Sequence, residues 1–266
     1  MNKTASIMIS AVLFAPVAQI QASPAQSLIK PDVNISLVNP SVCVHEPVII
    51  SMSTSNTDDS RLAINLGRDG EEYISVESKQ PDGKWKGQRP PSRGGFAGLR
   101  ILRINPQEEK TITFVANKWV GDLAEGEHSL RVMLHVPSTN RNWDPPSDLA
   151  LAGQIEREFF LNLNVTAPCP GKLAKLADQD LTVIIGSSSV EIKKTASTHL
   201  SYISDVVAVP YMERAIIPDA VGNFDIIDGL ARIDDERAKD ALFRLAQSSD
   251  PSIAAYTHQI AMPPHQ

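Results

Sequence analysis

Apolar positions follow two regimes along the chain. From Val33 onward they recur at every second residue, with Val33, Ile35 and Leu37 alternating with Asn34, Ser36 and Val38, the period of a strand with one buried face. Pro40 ends that run. Similar runs predict strands at Val48 to Ser53, Leu62 to Leu66, Tyr73 to Val76, Leu99 to Ile104, Thr111 to Val115, His128 to Val136 and Phe159 to Val165. Asn, Asp, Ser and Gly residues separate them as turn formers. Gln80-Pro81-Asp82-Gly83 places Pro and Gly where a type I turn with a following bulge requires them. Short strands at this spacing predict an antiparallel sandwich.

After Thr166-Ala167-Pro168-Cys169-Pro170-Gly171 the alternation stops, and from Ala196 to Ala246 the apolar residues take helical spacing in a register that repeats. Ala196, Leu200 and Ile203 fall opposite Ile226, Leu230 and Ile233. Ala208, Tyr211, Met212, Ala215 and Ile216 fall opposite Ala238, Ala241, Leu242, Leu245 and Ala246, thirty positions on. Asp205 and Asp235 stand where helix N-caps belong. Two helices per repeat, neither able to bury its stripe alone, predict a short α-solenoid. Between the regimes, Leu173 to Ala177 is helical in character and Leu181 to Ile185 is rich in β-branched residues; the segment is taken as a buried first helix. Ser249 to Ile253 begins one more helix, which Met262-Pro263-Pro264 ends.

Three segments of the first region carry a family likeness: Pro40-Ser41-Val42-Cys43-Val44-His45-Glu46-Pro47-Val48, Leu66 to Glu72, and Gly126 to Val132 after a corner bearing Trp119. Together they resemble the immunoglobulin-like sandwich modules of secreted bacterial proteins, over about half the chain. His128 departs from the pattern, standing where many such domains carry a corner-locking tyrosine. Ser204 to Tyr211 and Asp234 to Leu242 resemble HEAT-like repeats of the phycobilisome-lyase type, a name for the repeat from which no bilin chemistry follows. The expected organisation is a signal peptide at 1–22, an immunoglobulin-like β-sandwich at 31–168 and a HEAT-like helical domain at 172–266.

The start of the chain carries the expectation about compartment. Met1-Asn2-Lys3 precedes an apolar run from Ile7 to Ala18, charged and short as in a secretory signal, and too short to span a bilayer. Cleavage is expected after Ala22 or Ala25. No Cys follows at the position a lipoprotein would acylate, so the mature protein is expected to be periplasmic or secreted, without membrane insertion. Loss of Lys3 takes the formal charge from −6 to −7, which argues against nucleic-acid partners. In an exported chain the two cysteines, Cys43 and Cys169, read as one disulfide.

Candidate chemistry is sparse. No pair among the six histidines has metal-ligand spacing backed by a nearby Cys, and His128 and His135 would face opposite sides of one strand. Gly186-Ser187-Ser188-Ser189 lacks the G-x-S-x-G frame of a nucleophile elbow and reads as a helix N-cap with Glu191 behind it. No cofactor or metal is expected. Against the acidic background, Lys84, Lys86, Arg89, Arg93, Arg100 and Arg103 run without an intervening carboxylate, with Trp85 and Phe96 among them. The solvated-edge account competes with a docking loop formed by Lys84, Trp85, Lys86, Arg89 and Arg93. On the repeats, Glu213, Arg214, Lys239 and Arg244 are the polar residues of the second helices placed to line a binding face. The leading expectation is a non-catalytic exported protein that recognises a protein partner in the cell envelope. An inhibitor of an extracytoplasmic protease is the alternative, and a hydrolase with a site at the domain junction comes third.

Overall fold

The structure is a computed structural model and describes residues 31–68, 71–88, 99–139, 153–218 and 220–261. The signal segment, Arg89, Arg93, Phe96 and the chain end lie outside the described residues. Ten strands are described: β1 (Asp32–Leu37), β2 (Ser41–Cys43), β3 (Ile49–Ser55), β4 (Leu62–Arg68), β5 (Ile74–Lys79), β6 (Trp85–Lys86), β7 (Leu99–Ile104), β8 (Glu109–Val115), β9 (Gly126–Thr139) and β10 (Gly153–Thr166). A short helix, α1 (Asn117–Val120), turns the corner between β8 and β9.

The strands form two sheets, one in the order β1-β3-β8 and a larger one in the order β2-β10-β9-β4-β7, with β5 pairing β9 and carrying β6. Period-two alternation sends Val33, Ile35, Ile50, Met52, Ile112 and Phe114 from the first sheet into the same apolar core as Leu62, Ile64, Leu130, Val132, Leu134 and Val165 from the second. Trp119 of α1 is buried in that core, edge-on to Phe114 at 5.8 Å between ring centroids. The turn at Gln80–Gly83 forms as its residues require: Gly83 N–H donates to the Gln80 carbonyl at 2.9 Å, with φ +82° at the glycine.

One pairing departs from the antiparallel expectation. β2 runs parallel to β10, with Val42 opposite Val165 and Cys43 opposite Thr166. Three residues are too few for alternation to announce a strand. They are laid beside the last strand once Pro40 has ended β1, and this brings the two cysteines together.

The described residues after β10 are chiefly helical. α2 (Pro170–Gly186) and α3 (Val190–Ser201) are followed by a 3-10 turn at Val206–Ala208, then α4 (Val209–Ala215), α5 (Asn223–Arg232), α6 (Glu236–Ala246) and α7 (Pro251–Ala261). Sequence caps open several of them. Ser189 accepts from Ile192 N–H, Asp205 from Val207 N–H and Asp235 from Arg237 N–H. The thirty-residue register is kept in burial, since Ala196, Leu200, Ile203, Ile226, Leu230 and Ile233 all lie in one helical core. α2 is helical throughout, as read. It is amphipathic rather than wholly buried: Leu173, Ala177, Leu181 and Ile184 face inward, while Val183 and Ile185 face solvent.

α5 packs against the end of α3 closely enough to require a glycine. A Cβ on Gly229 would lie 2.7 Å from the Ser201 carbonyl oxygen and 2.8 Å from its Cα. Arg232 holds the same crossing by donating to the Ser201 carbonyl at 2.7 Å and laying its guanidinium 4.2 Å from the Tyr202 ring centroid. In an open helix Gly229→Ala would stabilise by about 1 kcal/mol. Here overlap with backbone dominates, and the variant is expected to destabilise by roughly 1–3 kcal/mol, read as a lower melting temperature. An unchanged or raised melting temperature would contradict this packing.

Candidate functional site

The junction between strands and helices is built from the turn that follows β2. Cys43 and Cys169 form a disulfide with Cα atoms 6.0 Å apart. Cys169 is also the residue from which α2 starts, with Pro170 in its first turn. Glu46, buried, accepts from Cys43 N–H at 2.9 Å and from Lys172 Nζ at 2.7 Å, so α2 is tied to the turn by a charge-assisted bond as well as by the sulfurs. His45, in the left-handed region at φ +70°, meets Ser204 through its ring nitrogen at 3.0 Å and accepts from Ser204 N–H at its carbonyl at 3.2 Å. Cys43, Glu46 and Cys169 are also the group of potential metal ligands that lie together among the described residues. Both sulfurs are committed to the disulfide, so the group does not fit a metal.

With α2 fixed at its first residue, α3 returns along the flank of the β region and leaves a groove of about 1000 Å³ between itself, β7 and β8. Five cations line it, Arg100, Arg103, Lys110, Lys118 and Lys194, against two carboxylates, Glu71 and Glu191, on a chain whose formal charge is −6. Lys118 donates to both oxygens of Glu71, at 2.8 and 2.6 Å, and Arg100 pairs with Glu191 across the groove. Arg103 and Lys194 are exposed on opposite walls.

A smaller cavity of about 320 Å³ adjoins the groove at Glu191, Thr195 and His199, and Asp180 of α2 lies in its wall. Asp180 Oδ1 and His199 Nδ1 are 3.9 Å apart, and each side chain is only about one-fifth exposed. That separation is within ion-pair range, yet burial disfavours the charged form of both. It pushes Asp180 up to about 7. It pushes His199 down to about 4, with the Lys118 ammonium adding to the effect. In the window between those values the pair is a neutral imidazole beside a protonated carboxyl.

The docking-loop residues are only partly described. Lys84 is exposed and pairs with Asp82 at 3.4 Å, and Lys86 is exposed. Trp85 leans on Phe160 at 5.8 Å, with the Arg131 guanidinium 5.0 Å from the indole. On the repeats, Glu213 accepts from Arg244 at 3.0 and 2.8 Å, so those two satisfy each other. Lys239 binds Glu236 and Asp234, and Arg214 is exposed. None of the described ones lines the groove. Of the cationic run, Arg100 and Arg103 do. Asp180, His199, Lys110, Lys118 and Lys194 went unmarked as site residues. The repeat register held a signal for His199: it falls opposite Gly229, the position that faces the preceding helix.

No family model matches the chain, and no curated protein matches it. Among solved structures, the β-glucosidase from Listeria innocua in complex with gluconolactone matches with 10% identity over 51% of this chain and 16% of its own, at TM-score 0.25. Spo0M, the sporulation control protein from Bacillus subtilis, matches with 14% identity over 57% of this chain and 55% of its own, at TM-score 0.27. A chain of the complex between Zinc 2-glycoprotein and Prolactin inducible protein from human seminal plasma matches with 10% identity over 54% of this chain and 100% of its own, at TM-score 0.27. This chain spans 16% of the glucosidase's length. Likenesses this distant carry no argument.

The buried pair has a pH signature. Folded Asp180 keeps a proton from about its ordinary 3.8 up to about 7 that the unfolded chain releases, so its contribution to stability is present at low pH and lost as pH rises through 7. Folded His199 refuses a proton between about 4 and its ordinary 6.5, so its contribution is present above 6.5 and lost as pH falls through about 4. In the wild type the two slopes oppose. Relative to wild type, Asp180→Asn is expected to gain stability as pH rises from 4 to 7, and His199→Gln to lose it from 4 to 6.5. Each change is on the order of a few kcal/mol. Denaturant melts at several pH values check both signs, and parallel curves for all three proteins would exclude the assignment.

Proposed function

We propose that this is an exported, non-catalytic binding protein that holds an acidic protein partner in the groove between its strands and α3. The β region is read as an immunoglobulin-like sandwich and the helices as a short HEAT-like solenoid. Two sheets sharing one core support the first. So does the corner residue His128, whose Nε2 lies 2.7 Å from the Ala124 carbonyl oxygen, the kind of backbone bond a tyrosine makes in such corners. Helix pairs recurring at thirty residues support the second. The apolar leader and the disulfide support export, and no described helix is long and apolar enough to cross a membrane.

The observation that carries the reading is the charge of the groove. Both walls supply cations to a cleft in an otherwise acidic protein, which steers and holds an anionic segment. A hydrolase at the junction is the second reading, favoured by Asp180 and His199 at the groove's edge. Asp180, held up to about 7, would supply such a site with a general acid or base; the cationic lining of the groove is what supports the binding reading over it.

A labelled ten-residue glutamate peptide tests the reading by fluorescence anisotropy. Wild type is expected to bind with an affinity that falls as salt rises. Arg103→Glu with Lys194→Glu is expected to weaken binding at least about tenfold, or about 1.4 kcal/mol. Arg214→Glu with Lys239→Glu, away from the groove, should leave it unchanged. Equal binding by all three proteins would remove the groove as the site, and turnover in an esterase and phosphatase screen that His199→Gln abolishes would favour the second reading.

A further inference from the structure

We propose that the groove takes its partner as an extended acidic segment that adds as a fourth strand to the open edge of β8. The inference rests on the acidic-partner reading above and specifies how that partner is held. β8 stands last in the order β1-β3-β8, and β7 stands last in the order of the larger sheet. The two sheets therefore end side by side at this flank, each with an edge strand. The groove follows those edges. Its lining includes the six consecutive residues from Lys110 to Val115 of β8 and the four from Arg100 to Arg103 of β7. Side chains alternate between faces along a strand, so a cleft touching consecutive residues runs along the strand's edge rather than across a face.

An edge strand presents a row of backbone N–H and C=O groups that another chain can pair with. Among the described residues β8 pairs with β3 alone, from Glu109 to Val115. Phe114 and Val115 are buried, so an added strand would lie opposite Lys110 to Thr113 and be about 14 Å long at roughly 3.4 Å per residue. A volume of about 1000 Å³ stands at the upper limit of small-molecule sites, about 300–1,000 Å³, and suits a short peptide. Charge sets the composition of that peptide. Arg100 is already engaged by Glu191. Lys110 at the start of β8 is engaged by Glu108 at 3.5 Å, so Arg103 on β7 and Lys194 on α3 are the cations in the described lining left to meet acidic side chains of the incoming strand.

The test uses the full chain and a display library of octapeptides with Glu at every second position and the rest randomised. A library with Lys at the same positions is the control. Enrichment is expected from the Glu library and not from the Lys library. Two N-methylated forms of an enriched peptide, each blocking one alternate set of amides, then separate the modes of binding. Strand addition requires that one form lose binding at least about tenfold while the other keeps it, because only one set of amides faces β8. The peptide should also protect from hydrogen exchange those amides between Thr111 and Thr113 that point away from β3. If both N-methylated forms bind as well as the parent, the segment is held by charge alone: strand addition is wrong and the acidic-partner reading stands. If neither library enriches, or the Lys library does, both fail.

Discussion

The Cys43–Cys169 disulfide is the constraint on which the rest of the structure depends. It spans 126 positions, and the loop it closes contains the β region from the end of β2 onward. In the chain-entropy account so long a loop corresponds to about 4–5 kcal/mol taken from the unfolded ensemble, a large share of a domain's stability of about 5–15 kcal/mol. The same bond has a local consequence. Its second sulfur belongs to the residue that opens α2, so the first helix leaves the β region from a fixed point, with Glu46 and Lys172 setting its approach. Cys43 itself packs in the helical core although it belongs to a strand.

From that anchor the groove follows by geometry. α2 runs out, α3 returns, and the returning helix stands opposite the flank where both sheets end. Polar contacts join the two parts, with His45 against Ser204 at the junction and Arg100 against Glu191 across the groove. Such contacts fix position without filling space, and a cleft lined by charge is left between them. Asp180 and His199 occupy the cleft's margin, where burial keeps each from its charged form.

Local pattern was legible wherever a short stretch of chain determined it. Alternation at Val33 and Ile35 and the thirty-residue register of Leu200 and Leu230 foretold burial, and Ser189, Asp205 and Asp235 cap as their side chains allow. Features that depend on distant chain meeting were not legible. β2 is three residues long and owes its place to β10. Glu46 finds its ion-pair partner only when Lys172, 126 positions on, is brought to it. The groove's cations come from β7, β8, α1 and α3, separate stretches that no motif connects. Conversely, Glu213 and Arg244 look free along the sequence because their partner is one repeat away; they neutralise each other across α4 and α6.

The central claim is that the disulfide stabilises the β region by closing its chain, and that the helices gain from it chiefly a point of attachment. Native-state hydrogen exchange of the oxidised protein and of the Cys43→Ser/Cys169→Ser variant measures this most directly. The account expects amides in the β9–β10 ladder to lose protection worth about 4 kcal/mol, while those in α5 and α6 lose much less. Helical amides that fall as far as the ladder, or a ladder that keeps its protection without the bond, would contradict it.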